Sequence, residues 1–134
     1  MAQKTSHLDM IQGVINRMSV NSFLLKGWSV VLISALFSLA AAQGKREFIL
    51  LAYFPGIAFW ILDGYFLRQE KLFRKLYDRV RGMTEDAIDF SMDTTTVSSQ
   101  VSSWGKVIFS HTLVIFHGVV IGAILAVMIL LPRT

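Results

Sequence analysis

The chain has 134 residues, of which 54% are hydrophobic and only 16% are charged, and its formal net charge is +4. A soluble domain of this length normally carries more charge and fewer apolar residues, so the composition argues against a soluble globular protein. Because the chain contains no cysteine, disulfide bonds and thiolate-ligated metals are excluded.

The first predicted element is an amphipathic helix over residues 5–22. Leu8, Ile11, Ile15 and Met18 recur three or four residues apart and therefore share one helix face. The segment lacks the apolar core of a cleavable signal peptide. We predict a helix that lies on the membrane surface or packs on its neighbours, and the alternative is a moving gate element.

Three apolar segments follow, at residues 23–42, 48–67 and 107–131, and each is long enough to cross the hydrocarbon core of a bilayer. Only five residues separate the first two, so these spans are expected to form an antiparallel hairpin. The third has 25 residues without Asp, Glu, Lys or Arg, which argues against its burial in a soluble core. We predict an all-α integral membrane protein in which residues 1–134 form a single membrane domain.

Two features inside the spans concern helix shape and packing. Pro55 removes a backbone hydrogen bond, so Pro55–Gly56 is predicted to kink span two and is a candidate hinge. Small residues spaced four apart let helix backbones approach closely in lipid. Two such ladders are present, Ser34, Ser38 and Ala42 on span one and Gly118, Gly122 and Ala126 on span three. They predict packing within a compact bundle or between copies of a homo-oligomer.

Residues 68–82 are predicted to continue span two as a charged helix that ends at Gly82. One face is apolar, and the other carries six basic residues, Arg68, Lys71, Arg74, Lys75, Arg79 and Arg81. This face is expected to act as a positive stop beside anionic lipid. The alternative is an anionic ligand such as a nucleotide-type signal or a nucleic acid, for which the chain has no specific motif. Residues 83–106 form a polar connector with a short helix predicted near residues 84–90.

The distribution of basic residues predicts the orientation. Three basic residues lie in the N-terminal segment and seven lie between spans two and three, whereas three lie on the opposite side. Because Lys and Arg accumulate on the cytoplasmic side, the N-terminus and the connector are predicted to be cytoplasmic and the C-terminus outside. We expect a multi-pass protein of the bacterial inner membrane.

Polar residues inside the spans are the candidate functional residues. A carboxylate in a membrane is costly, so Asp63 is predicted to pair with Lys26 at the same depth on span one, and the alternative is a pore or proton-path carboxylate. His111 and His117 point to faces of span three about 120° apart. Both are predicted to hydrogen-bond between helices, and the alternative is pH sensing or conduction.

The sequence contains no catalytic constellation, metal-ligand pattern or nucleotide-binding loop. Three spans also leave too little chain for an independent catalytic domain. We therefore expect a protein that is not an enzyme and that uses no cofactor. Its expected partners are membrane lipid, other copies of the chain, and a cytoplasmic protein or signal.

A family resemblance rests on three segments, LDMIQGVINRM, NSFLLKGW and FWILDGYFLRQEKLFRKLYDRVR. Their order, a helix, a tight membrane hairpin and a charged helix, resembles small membrane effectors of bacterial anti-phage systems, including the SLATT type. The resemblance covers roughly residues 5–82, and a third span follows it. It implies oligomeric pores that disrupt the membrane when an infection signal arrives from a partner enzyme.

We therefore expect an oligomeric channel or pore-forming effector, gated from the cytoplasmic side, that depolarises or permeabilises the membrane. One alternative is a non-conducting anchor or regulator that recruits a cytoplasmic partner. Another is a holin-like lysis protein, which ranks lower because three-span holins usually have the opposite orientation.

Overall fold

The chain folds into helices joined by short loops, and its computed structural model describes residues 2–131. The elements are α1 (Ala2–Gln43), α2 (Glu47–Arg81), α3 (Trp104–Ile108) and α4 (His111–Leu130), with 3₁₀ turns at Glu85–Ala87 and Thr95–Gln100. No strand occurs in this part of the chain. Three of the helices, α1, α2 and α4, are long and apolar enough to cross a membrane. The predicted all-α class is confirmed.

The helices α1 and α2 form the predicted hairpin. Its turn contains Gly44 with φ of +64°, a backbone conformation that glycine adopts without the strain of a Cβ atom. The buried residues of α1 recur at intervals of mostly four and seven, and they are His7, Ile11, Ile15, Ser22, Ser29, Ile33 and Ala40. This spacing is the period of coiled-coil packing.

Small residues allow the close approach of the helices within the subunit, but they are not the predicted ladders. The buried small residues are Ser22, Ser29 and Ala40 on α1 and Ala52, Gly56 and Gly64 on α2. Ser34, Ser38, Gly122 and Ala126 are exposed, and Gly118 is partly exposed. The predicted ladders therefore do not pack the subunit, because they lie on the faces of α1 and α4 that point away from α2.

The N-terminal helix is not a separate surface helix. Residues 5–22 are the first part of α1, which has no break before span one, so the predicted boundary at residue 22 is wrong. Ile11 and Ile15 are buried against Leu76 and Val80 of α2 and against Val97 of the connector. The apolar stripes of α1 and α2 pack against each other. The apolar side chains of residues 5–22 therefore do not need a membrane surface to be buried. We call this end of the hairpin the open end.

The connector between α2 and α3 covers the open end. Glu85 accepts hydrogen bonds from the backbone N–H groups of Gln3, at 2.9 Å, and Lys4, at 3.4 Å, in the first turn of α1. A carboxylate there complements the positive end of the helix dipole. The short helix predicted near residues 84–90 is a single 3₁₀ turn, Glu85–Ala87.

The third predicted span is interrupted. Residues 107–131 do not form one helix, because α3 ends at Ile108 and α4 begins at His111. Ser110 is the N-cap of α4 and has extended backbone angles, which interrupts the helix. Below the break, Ile124 of α4 is buried with Ile33, Ala40, Ile49 and Ala52 of the hairpin.

The helix α2 runs without interruption through Pro55. Gly56, the next residue, is buried against α4, and a Cβ atom built on it would lie 3.1 Å from Ile121 and 3.2 Å from Ile124. The absence of a side chain at this position therefore allows α4 to pack close to α2. A hinge at Pro55–Gly56 stays a prediction.

Candidate functional site

Three of the helices meet at one buried carboxylate. Asp63 of α2 has no exposed surface. Its oxygens accept from the Oγ of Ser22, from Nζ of Lys26 at 2.6 Å, and from Nε2 of His117 at 2.8 Å. We call these four residues the Asp63 cluster. It contains the predicted Lys26 pair, and it adds one residue from each of α1 and α4.

The helical spacing on α1 explains why Ser22 and Lys26 reach the same carboxylate. They lie one turn apart, and Nζ of Lys26 also donates to Oγ of Ser22 at 2.9 Å. Ser22 belongs to the buried seam of α1, whereas the Lys26 side chain keeps 20% of its surface exposed. The hydroxyl is thus fixed by packing, and the ammonium group reaches in from the helix flank.

The contact between His117 and Asp63 is a hydrogen bond to a carboxylate. An ionised carboxylate only accepts hydrogen bonds, so Nε2 of His117 is the donor when Asp63 is ionised. Nδ1 of His117 is buried and has no hydrogen-bond partner among residues 2–131. Asp63 and Lys26 form an ion pair, and the carboxylate also accepts hydrogen bonds from Ser22 and His117.

Aromatic rings enclose His117. The indole of Trp60 stacks on the imidazole with ring centroids 5.8 Å apart and an interplanar angle of 9°. Phe116 meets the imidazole edge-on, and Nζ of Lys26 lies 5.9 Å from the centre of the Phe116 ring. The rings separate the ion pair from its surroundings, which strengthens the electrostatic attraction within it.

Trp60 also stabilises the break between α3 and α4. Its Nε1–H donates to the backbone carbonyl of Ile108 at 2.8 Å. The carbonyls at the end of a helix have no intrahelical partner, so this bond satisfies one that the break would leave unpaired. Trp60 therefore contacts both the break, through Ile108, and the imidazole of His117. A change at the break would shift His117 as well.

Ser22 and Trp60 were not among the predicted site residues. Both had a usable signal, because Ser22 precedes Lys26 by one helical turn and Trp60 precedes Asp63 by three residues. The two histidines lie on different faces, as predicted: His117 is buried in the cluster, and His111 is exposed at the start of α4. His111 therefore does not take part in the predicted helix-to-helix hydrogen bonding within the subunit.

The basic residues of α2 lie beyond the Asp63 cluster, toward the open end. Arg74 pairs with Glu70 at 2.8 Å, as the four-residue spacing predicts. Asp78 lies four residues after Arg74, but it pairs with Arg81 at 3.5 Å. Arg79 donates to Thr96 at 2.6 Å and Arg68 to the carbonyl of Ser102 at 3.2 Å, so two of the six hold the connector. Lys71, Arg74 and Lys75 line a groove of about 400 Å³.

The contacts of the Asp63 cluster suit a structural role, in which one carboxylate joins three helices. Each carboxylate oxygen already has a donor, and residues 2–131 contain no group of three or more His, Cys, Asp and Glu side chains that could hold a metal ion. A change in the protonation of Asp63 or His117 would alter contacts among three helices at once.

Comparison of the chain with protein-family models, with curated proteins and with solved structures finds no match.

Proposed function

We propose that this chain is a multi-pass protein of the bacterial inner membrane that assembles into a homo-oligomeric channel or pore, gated from the cytoplasmic side. Three helices of suitable length and hydropathy support membrane insertion. Exposed Trp28, Tyr65 and Trp104 surround the level of the Asp63 cluster, as expected where a bilayer meets water. The excess of basic residues at the open end supports a cytoplasmic location for that end.

The main support for a homo-oligomer is the uncovered face of α4. No atom of the described chain outside α4's own backbone and the neighbouring residues lies within 4 Å of a Cβ built on Gly118 or Gly122. Ala126 and Ile129, on the same side of α4, are also exposed, Ile129 by 75% of its surface. In lipid, small residues flanked by branched side chains favour close contact with another helix. A second copy supplies such a helix.

Conduction in this proposal requires several copies. Within residues 2–131, α4 packs on the α1–α2 hairpin, and the Asp63 carboxylate between them accepts hydrogen bonds from both α1 and α4. Three packed helices leave no aqueous path at the Asp63 cluster. A pathway would therefore lie on the shared axis of an oligomer.

Gating from the cytoplasmic side is supported by the continuity of the hairpin. The helices α1 and α2 run without interruption from the open end to the Asp63 cluster. A partner or signal that moves the open end would therefore move Lys26 relative to Asp63. A role as an effector of anti-phage defence rests on the resemblance alone.

A flux assay tests the pore. Purified protein is reconstituted into liposomes loaded with a self-quenching dye, with and without cytosolic extract from infected bacteria. We expect dye release that rises with the number of copies per vesicle and that decreases in the double variant Gly118→Leu and Gly122→Leu. Absence of release under every condition, from a protein that is strictly monomeric, would contradict the proposal.

The absence of cysteine makes the orientation directly testable. A single cysteine is introduced by Ser99→Cys in the connector or by Gln43→Cys in the hairpin turn, both at exposed positions. In intact spheroplasts, a membrane-impermeant maleimide should label Gln43→Cys and should label Ser99→Cys only after permeabilisation. The reverse pattern would show the opposite orientation, and labelling of both would argue against insertion.

A second candidate is a non-conducting anchor that recruits a cytoplasmic partner. The exposed groove formed by Lys71, Arg74 and Lys75 with the connector favours it, because its charge suits an acidic protein surface. A soluble partner captured in stoichiometric amounts, and lost when Arg74, Lys75 and Arg79 are changed to Glu, would support this function over the pore.

A further inference from the structure

A second surface feature lies between α1 and α4. Because α4 packs on α2, a groove of about 720 Å³ remains between α4 and α1. Its walls are largely apolar, formed by Val30 of α1 and by Ile115, Phe116 and Val119 of α4, and Lys26 and His111 lie at its open-end side. We call this feature the α1–α4 groove.

We propose that the α1–α4 groove binds one acyl chain of an anionic phospholipid of the cytoplasmic leaflet, with its phosphate near Lys26 and His111. This inference rests on the insertion and orientation proposed above. From His111 to Val120 the groove follows nine residues of α4, or about 14 Å along the helix axis. That distance matches half of a hydrocarbon core of roughly 30 Å, which is the depth of one leaflet.

The charge of the groove is complementary to a phosphate. Lys26 has three N–H donors, of which Ser22 and Asp63 take two, and part of its side chain reaches the surface. His111 is the first residue of α4 and is exposed, at the end of the helix where the dipole favours an anion. Anionic lipids are concentrated in the cytoplasmic leaflet, where this end of the groove is expected to lie.

A lipid fits the groove better than a second copy of the chain does. Asp63 is the one acidic residue within the apolar segments 23–42, 48–67 and 107–131, and it is buried in its own subunit. Another copy therefore offers no free carboxylate at the depth of Lys26 and His111. A phospholipid offers both the phosphate and the apolar chain.

Native mass spectrometry of the full-length protein in a neutral detergent tests the site. Phosphatidylglycerol and phosphatidylcholine with identical acyl chains are added in turn. We expect phosphatidylglycerol to bind about fivefold more tightly, the ratio for one favourable charge contact. His111→Gln should reduce that preference, and Val119→Trp, which fills the groove, should abolish binding. Ile129→Trp, an equal change on the exposed face of α4 outside the groove, is the control.

Three outcomes would overturn the site. Equal binding of the two lipids would contradict selection of an anionic headgroup, and equal effects of Val119→Trp and Ile129→Trp would place the lipid outside the groove. Dissociation of an oligomer by Val119→Trp, without retained lipid in the original protein, would assign the groove to a second copy. Failure of insertion in the labelling experiment would instead contradict the proposed function, so the two failures are distinguishable.

Discussion

At the residue scale, the Asp63 cluster was partly predictable. The pair of Asp63 and Lys26 follows from depth alone, because an antiparallel hairpin with a short turn sets both residues at the same level. His117 could not be assigned to this pair from sequence. Its position depends on where α4 begins and on its rotation against α2, and the break before His111 sets both.

Asp63→Asn tests the ion pair. The change leaves the ammonium group of Lys26 partly buried without its counter-charge, so we expect the free energy of unfolding to fall by about 3 kcal/mol. Thermal or denaturant unfolding in detergent measures the loss. If Asp63 acts only as a structural joint, ion selectivity of any flux should not change.

The matched control is Asp78→Asn, which removes a carboxylate from an exposed pair with Arg81. Exposed pairs on a helix contribute no more than about 0.5 kcal/mol. Equal stability of the Asp63→Asn variant and the original protein would contradict a structural role for the cluster. Unchanged stability with altered conductance would favour a pathway carboxylate.

At the element scale, the number and type of the helices were predictable, and several of their ends were not. Apolar length indicates a span, but it does not show that residues 5–22 continue into α1, because that depends on the partner stripe of α2. The break at Phe109–Ser110 lies inside a long run without charged residues. It is stabilised by contacts with Trp60 and Gly64, which no local pattern reveals.

Gly64→Ala tests the contact between α2 and α3. A Cβ atom at this position would lie 2.6 Å from Cγ1 of Ile108 and 3.3 Å from Nε1 of Trp104, so α3 must shift or both side chains must move. We expect a net loss of about 1–3 kcal/mol in unfolding free energy, since overpacking outweighs the better helix propensity of alanine. Hydrogen exchange should increase at the amides around the break.

Gly13→Ala is the control on α1, where nothing lies within 4 Å of the added Cβ among the described residues. Only the better helix propensity of alanine then acts, and we expect the free energy of unfolding to rise by up to about 1 kcal/mol. A stabilised Gly64→Ala variant would show that α3 does not pack on α2 as described.

At the scale of the whole molecule, the sequence predicted a small-residue seam on α4 but not which surface it faces. The four-residue spacing is the same whether the partner is α2 or another copy. Gly56 and Gly64 of α2 perform the close packing within the subunit, at positions that the ladder pattern did not include. The seam on α4 is left on the outer surface.

The double variant Gly118→Leu and Gly122→Leu separates folding from assembly. Because a side chain at either position meets open space in the subunit, we expect thermal stability of the isolated subunit to be unchanged or slightly increased. We expect the oligomer to dissociate, because the added bulk keeps two helix backbones apart. Chemical cross-linking and native mass spectrometry measure this.

Val114→Leu is a size-increasing control on a different side of the exposed surface of α4. If the double variant assembles as the original protein does, α4 is not the oligomer contact. Loss of subunit stability in the double variant would instead mean that the seam packs against the same subunit.

The location of the Asp63 cluster has a consequence for biosynthesis. Ser22, Lys26 and Asp63 all belong to the hairpin, so the ion pair can form while the last part of the chain is still in the ribosome. If the hairpin inserts as proposed, each charge enters the bilayer with its partner, which avoids the cost of transferring either one alone. His117 is synthesised after these three residues. The docking of α4 onto the preformed ion pair is therefore the step that completes the Asp63 cluster.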